Sequence, residues 1–138
     1  MSNPPTLAEA AQRIRRKEVS PLELVRDCLD RIDRLDGRIR AWVHVDRDAA
    51  LDAAQRMTEE AAAGKFRGPL HGVPVGIKDI IDVAGLPTRA GSPLRENHLT
   101  ANADAPVVAG LRRAGAIILG KTVTVEFACF DPSPTRNP

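Results

Sequence analysis

The chain has no tyrosine, one tryptophan and three phenylalanines, so aromatic residues make up only 3% of its 138 positions. Trp42, Phe66, Phe127 and Phe130 are too few to build a core, which must come from alanine, valine, leucine and isoleucine. Cysteine is almost as scarce, and Cys28 and Cys129 alone make no disulfide framework and no CxxC metal motif. No apolar run approaches the ~18 residues that a membrane-spanning helix needs. The opening "MSNPPTLAEAAQR" lacks the apolar centre of a signal peptide. A cytoplasmic protein without a membrane partner is the expectation. An excess of one charge is missing too: 20 Lys and Arg against 18 Asp and Glu leave a net charge of +2. That balance gives no reason to expect a nucleic-acid partner, and Arg15-Arg16-Lys17 and Arg112-Arg113 read as solvated helix faces.

Two kinds of site chemistry are missing as well. His44, His71 and His98 have no metal-ligand spacing, so neither a metal nor another cofactor is expected. A Cys129–His71 nucleophile pair has no local sequence support. The serines are Ser2, Ser20, Ser92 and Ser133, and none sits in a G-x-S-x-G elbow. The chain brings no obvious nucleophile.

What is present is α/β patterning in a length suited to about one domain. "TLAE" (6–9) and "SPLE" (20–23) are capping boxes that start two helices, with Pro21 at the first helical position of the second. Leu22, Val25, Leu29 and Ile32 recur at helical spacing, predicting a helix to about Leu35 that Gly37 ends. "WVHV" (42–45) is a short strand, and Asp46 is placed to cap an alanine-rich helix to about Ala63. A strand around Val75–Ile81 follows, then a long irregular stretch of the kind that is usually functional or mobile. A helix capped by Asp104, with Pro106 in its first turn, ends at Gly115, and "AIIL" (116–119) is a buried strand. Strand, helix, strand predicts a right-handed crossover and a parallel pair covered on both faces. The chain divides into a mainly helical section, 1–66, and a βαβ section, 67–138.

"GAIILGKT" (115–122) satisfies the P-loop pattern, but its four middle residues are the strand itself. Their amides belong to sheet hydrogen bonds, and no nucleotide binding is expected. Lys78 is the remaining candidate. It follows Val73, Val75 and Ile77, which alternate as a half-buried strand does, and precedes Ile80, Ile81 and Val83. One reading is a lysine snorkelling from a strand end or paired with Asp79 or Asp82. The other is a buried lysine, facing a cleft, that serves as a general base. Spacing alone leaves both open.

Three segments carry a resemblance: "GPLHGVPVGIKDIIDVAGLPTRAGS", "ADAPVVAGLRRAGAIILGKTVTVEFA" and "FDPSPTRNP". With the leading "SPLELVRDCLDRIDRLDGRIRAWV", they resemble the N-terminal part of an amidase signature family enzyme. The resemblance implies a mixed sheet flanked by helices and amide hydrolysis through a Ser–Ser–Lys triad and an acyl-enzyme. Lys78 matches the family's catalytic lysine, and its substrate partner would be a small carboxamide. A homo-oligomer stays open. The family's Gly/Ser-rich signature, which carries both serines and the oxyanion hole, is expected beyond Pro138. The 138 residues are therefore expected to be inactive and marginally stable by themselves. Within the family, the glutamine-hydrolysing component of a tRNA-dependent amidotransferase is the alternative. A non-catalytic folding or assembly module is the other.

Overall fold

The computed structural model describes residues 5–95, 100–129 and 131–137. Ser2, His98, Phe130 and part of the irregular stretch before Asp104 lie outside the described residues. Both capping boxes form. The Thr6 hydroxyl accepts the Glu9 amide and starts α1, Leu7–Arg15. Ser20 does the same with Glu23 and starts α2, Pro21–Ile39, with Pro21 in the first turn.

Helix α2 runs past Gly37, contrary to the sequence expectation. Gly37 has open space around it, and no side chain forces the backbone to turn there. Asp36 provides the stop. Its carboxylate accepts the amides of Ala41 and Trp42 at 2.7 and 3.3 Å, while Arg40 turns left-handed and donates its amide to the Asp36 carbonyl. Two strand-entry amides are thereby satisfied by a side chain and not by further helix.

Strand β1, Trp42–Val45, leads into helix α3, Arg47–Ala62. Asp46 takes the N-cap position there, but its side chain makes no capping bond. Strand β2 is Pro74–Lys78, helix α4 is Pro106–Arg113 and strand β3 is Ile117–Thr122. Asp104 does not cap α4 either, because its carboxylate is already committed. It accepts the Ala84 amide and Arg112 Nε, both at 2.8 Å, pinning the preceding loop to the helix. Ala105 holds the N-cap position without a side-chain bond.

The sheet has the order β1-β3-β2. β2 and β3 run parallel, as the crossover predicted, and β1 adds antiparallel on the other side of β3, making the sheet mixed. β3 alternates its aliphatic residues between two cores. Ile117 and Leu119 pack with Val25 and Leu29 of α2 and Ala50, Ala54 and Met57 of α3. Ile118 packs with Ile77, Val83, Leu86 and Val108 on the α4 side. A third cluster joins Ile14, Leu24 and Val73. Nearly all of this is aliphatic, as the scarcity of aromatics required.

Two glycines make this arrangement feasible. Gly115 ends α4 at φ +92, where a Cβ would stand 2.7 Å from the His71 backbone. Gly120 has φ +148, and a Cβ there would stand 2.1 Å from the His44 carbonyl oxygen, inside the β1–β3 pairing. Only glycine permits both the backbone angle and the approach. The glycine that completes the P-loop lookalike therefore serves the sheet.

Candidate active site

The parallel strands β2 and β3 end side by side, with Lys78 opposite Thr122 and Ile77 opposite Lys121. Ligand sites in α/β sheets lie outside the carboxyl ends of such strands. A cleft of about 480 Å³ opens there, with Asp79, Arg89, Ser92, Thr124, Glu126 and Asp131 in its walls. Lys78 reaches the end of its strand beside this cleft but does not line it.

Lys78 is exposed, contrary to the expectation of a buried base. The reason is the strand's own period of two. Ile77 points into the α4-side core and Asp79 is buried, so the residue between them faces the opposite side of the sheet. Gly76 shares that side, near Trp42 and Thr122. The apolar residues after Lys78 do not cover it, because the strand has ended. A turn returns the Ile81 amide to the Lys78 carbonyl at 3.0 Å, and Ile80 is itself exposed. Among the described residues Lys78 makes no ion pair and no side-chain hydrogen bond, so neither Asp79 nor Asp82 pairs with it.

The buried lysine is Lys121, the one inside the P-loop lookalike. Only 1% of its surface, and 1% of that of Asp79, remains exposed. Its Nζ lies 3.0 Å from Asp79 Oδ1, and it donates to Thr88 Oγ1 at 2.9 Å and to the Pro87 carbonyl at 3.2 Å. The Oδ1 contact is ionic, with no well-directed hydrogen bond to that oxygen. Asp79 Oδ2 accepts the Arg89 amide at 3.3 Å, and the Asp79 carbonyl accepts the Ala90 amide at 2.9 Å. Sequence reasoning passed over Lys121 because its strand was expected to stop at Leu119. The strand instead continues to Thr122, and a one-residue bulge between Ile118 and Gly120, which no alternation in "AIILGKT" announces, sets Lys121 opposite Ile77 and facing the loop after β2. The same continuation leaves the P-loop pattern without a loop, since Ile117 to Thr122 are all strand.

The other candidates are occupied elsewhere. His71 is buried, its Nδ1 accepts the Arg67 amide at 3.1 Å, and its Nε2 lies 2.9 Å from the Met57 carbonyl. Because Nδ1 accepts, Nε2 carries the proton, and neither nitrogen is left to activate the exposed Cys129. Burial pushes the Cys28 thiol above its ordinary pKa, away from thiolate reactivity. Ser92 is buried and donates to Glu126 at 2.6 Å, tying the irregular loop to the segment after β3. Among the described residues no helix is long and apolar enough to cross a membrane.

Comparison with known proteins gives the family. The Amidase family model matches residues 23–137. An amidase of Pseudomonas putida is 46% identical over 134 residues, covering 96% of this chain and 28% of that protein. A glutamyl-tRNA(Gln) amidotransferase subunit of Salinispora tropica is 42% identical over 137 residues, covering 95% of this chain and 28% of that protein. The native peptide amidase from Stenotrophomonas maltophilia superposes with a TM-score of 0.82 at 36% identity, over 94% of this chain and 26% of that one. The 138 residues thus span little more than a quarter of the length of these relatives. The family-model match over residues 23–137 and the 46% identity to an amidase show that this chain belongs to the amidase family.

Proposed function

We propose that this chain is the lysine-bearing N-terminal part of an amidase that hydrolyses small carboxamides through a Ser–Ser–Lys triad. Residues 1–138 form part of one domain, since β1 of the helical section, 1–66, pairs with β3 of the βαβ section, 67–138. The two serines and the oxyanion hole come from sequence following Pro138. Lys78 accepts a proton from the first serine, which takes one from the nucleophilic serine as its Oγ attacks the amide carbon. The tetrahedral intermediate expels the amine, which receives the proton back along the relay. Water then cleaves the acyl-enzyme by the same route.

The observation that carries this reading is the position of Lys78. It ends a strand parallel to its neighbour, on an open face, while the adjacent carboxylate of Asp79 is turned away and neutralised by Lys121. No carboxylate among the described residues holds its ammonium. Burial of that group, which a base of this kind needs, would come from chain and substrate laid over the open face. The likeness to a glutamyl-tRNA(Gln) amidotransferase component supports a second reading, in which glutamine is the amide hydrolysed.

The test is to express the chain continued through its downstream reading frame and assay carboxamides and glutamine separately. Lys78→Ala should lower hydrolysis by about a thousandfold or more, and the 138-residue chain alone should give none above background. Turnover that survives Lys78→Ala would refute the assignment. Turnover of glutamine alone would favour the second reading.

A further inference from the structure

The geometry points to Lys121 as a positioning residue for Lys78, acting through Asp79. This inference rests on the amidase reading, since it assigns a role toward the lysine that reading places in the chemistry. The starting point is how much converges on the residue after Lys78. Asp79 donates its amide to the Thr122 carbonyl at 2.9 Å and accepts the Ala90 amide on its own carbonyl. Its side chain receives the Arg89 amide and the Lys121 ammonium. Lys121 in turn takes the Pro87 carbonyl and the Thr88 hydroxyl. The end of β2, the end of β3 and the loop 87–90 therefore close on one buried charge pair.

Such a pair is not needed to fill space. Buried ion pairs often contribute nothing net compared with apolar residues of the same volume, because desolvation offsets the attraction. What this one supplies is placement. An apolar contact permits sliding, whereas an ammonium that hydrogen-bonds the Pro87 carbonyl and the Thr88 hydroxyl and pairs ionically with Asp79 ties the loop to the strand end. Rotation of the last residues of β2 would break the contacts of Asp79 together, so the backbone that carries Lys78 has one setting. Lys121 also satisfies the carboxylate closest in sequence to Lys78. Without it, Asp79 would be a buried charge whose nearest covalently linked cation is the lysine needed elsewhere. A base that must hand a proton along a relay depends on placement within fractions of an ångström, and a displacement of about 1 Å can cost two orders of magnitude in rate.

The experiment uses the chain continued through its downstream frame, with each variant assayed where its circular dichroism and melting show it fully folded. Lys121→Met should lower kcat about tenfold or more while KM stays within about twofold, since substrate contacts are untouched and only the proton relay is misaligned. Thr88→Val, which removes one hydrogen bond of the ammonium and keeps the side-chain shape, should lower kcat in the same direction by a smaller factor. It decides the matter if Lys121→Met does not fold. Folded variants with parental kcat would overturn the inference, as would losses confined to KM. If the parent hydrolyses no amide, the amidase reading fails and the positioning claim is decided by amide exchange in the same extended protein. There Thr88→Val should speed exchange at Arg89 and Ala90, and unchanged exchange at both would overturn the clamp.

Discussion

Lys78 and Lys121 sit at the carboxyl ends of neighbouring parallel strands, one register position apart, and could hardly be held more differently. Lys121 is enclosed, with a carboxylate, a hydroxyl and a carbonyl around its ammonium. Lys78 stands on the open side of the sheet with no partner among the described residues. The difference follows from strand parity in β2 and a one-residue bulge in β3, and not from local hydrophobicity. Both lysines follow aliphatic runs, but only Lys121 shares the side of the sheet on which Ile77 is buried and the loop after β2 folds back. An apolar flank therefore says that a strand is in the core; it does not say which of its residues is. The position left open is the one available for chemistry, and the buried one maintains the architecture around it.

The largest effect that would sharpen this contrast is on stability. Lys121→Met leaves the Asp79 carboxylate buried without its cation, and losing one member of a buried pair costs about 3–5 kcal/mol. Denaturant unfolding of the chain continued through its downstream frame should show a much lower midpoint or no cooperative transition. Replacing both members, Lys121→Met with Asp79→Leu, should recover most of the loss, because the desolvation cost disappears with the charges. A single substitution that leaves the midpoint unchanged would break the comparison, since Lys121 would then be as weakly held as Lys78.

A smaller effect separates the strand ends from the helix starts. Both capping boxes are exposed, and their carboxylates respond to pH. The backbone amide and then the hydroxyl of Ser20 hold the Glu23 carboxyl below its ordinary pKa of 4.5, and Thr6 does the same for Glu9. The hydrogen bond from Arg67 holds Glu60 low as well. A depressed folded pKa stabilises the fold above the unfolded value, and that contribution is lost as pH falls below the ordinary glutamate range and through the folded pKa. Ser20→Ala should cost about 1 kcal/mol near neutral pH and should flatten the acid side of the stability curve. Unfolding midpoints at pH 7 and at a series of values below 4.5 measure both. An unchanged acid slope would mean that the box does not persist in solution.

These cases show how much was legible beforehand. The capping boxes were readable because each is a local motif whose hydrogen bonds close within four residues. The same locality made β1, the parallel pairing of β2 with β3 and the Gly115 stop recoverable. Asp36, Asp46 and Asp104 were not readable in that way. Each stands near a helix end, but Asp36 and Asp104 spend their carboxylates on amides of the next segment or of a distant loop, and Asp46 makes no cap bond. The Lys121–Asp79 pair was invisible for the same reason, since its partners lie more than thirty positions apart in sequence. The burial expected for Lys78 failed on parity, a property the alternation of Val73, Val75 and Ile77 already contained.

The smallest expected effect is also the most discriminating. Lys78→Met makes the same chemical change as Lys121→Met at the adjoining strand end, so any difference between the two reports environment alone. The Lys78 side chain makes no hydrogen bond or ion pair among the described residues, and its backbone pairing with Thr122 does not depend on the side chain. A substitution at such an exposed site changes stability by no more than about 0.5 kcal/mol. The same unfolding experiment should give overlapping curves for Lys78→Met and the parent chain. A loss above about 1 kcal/mol would show that the ammonium is engaged in the fold, and the contrast between the two lysines would fail. If the curves overlap while the same substitution removes hydrolysis in the extended protein, the fold has no use for Lys78. Its charge then matters only to the reaction, as expected for a base whose surroundings are completed by chain and substrate brought over an open strand end.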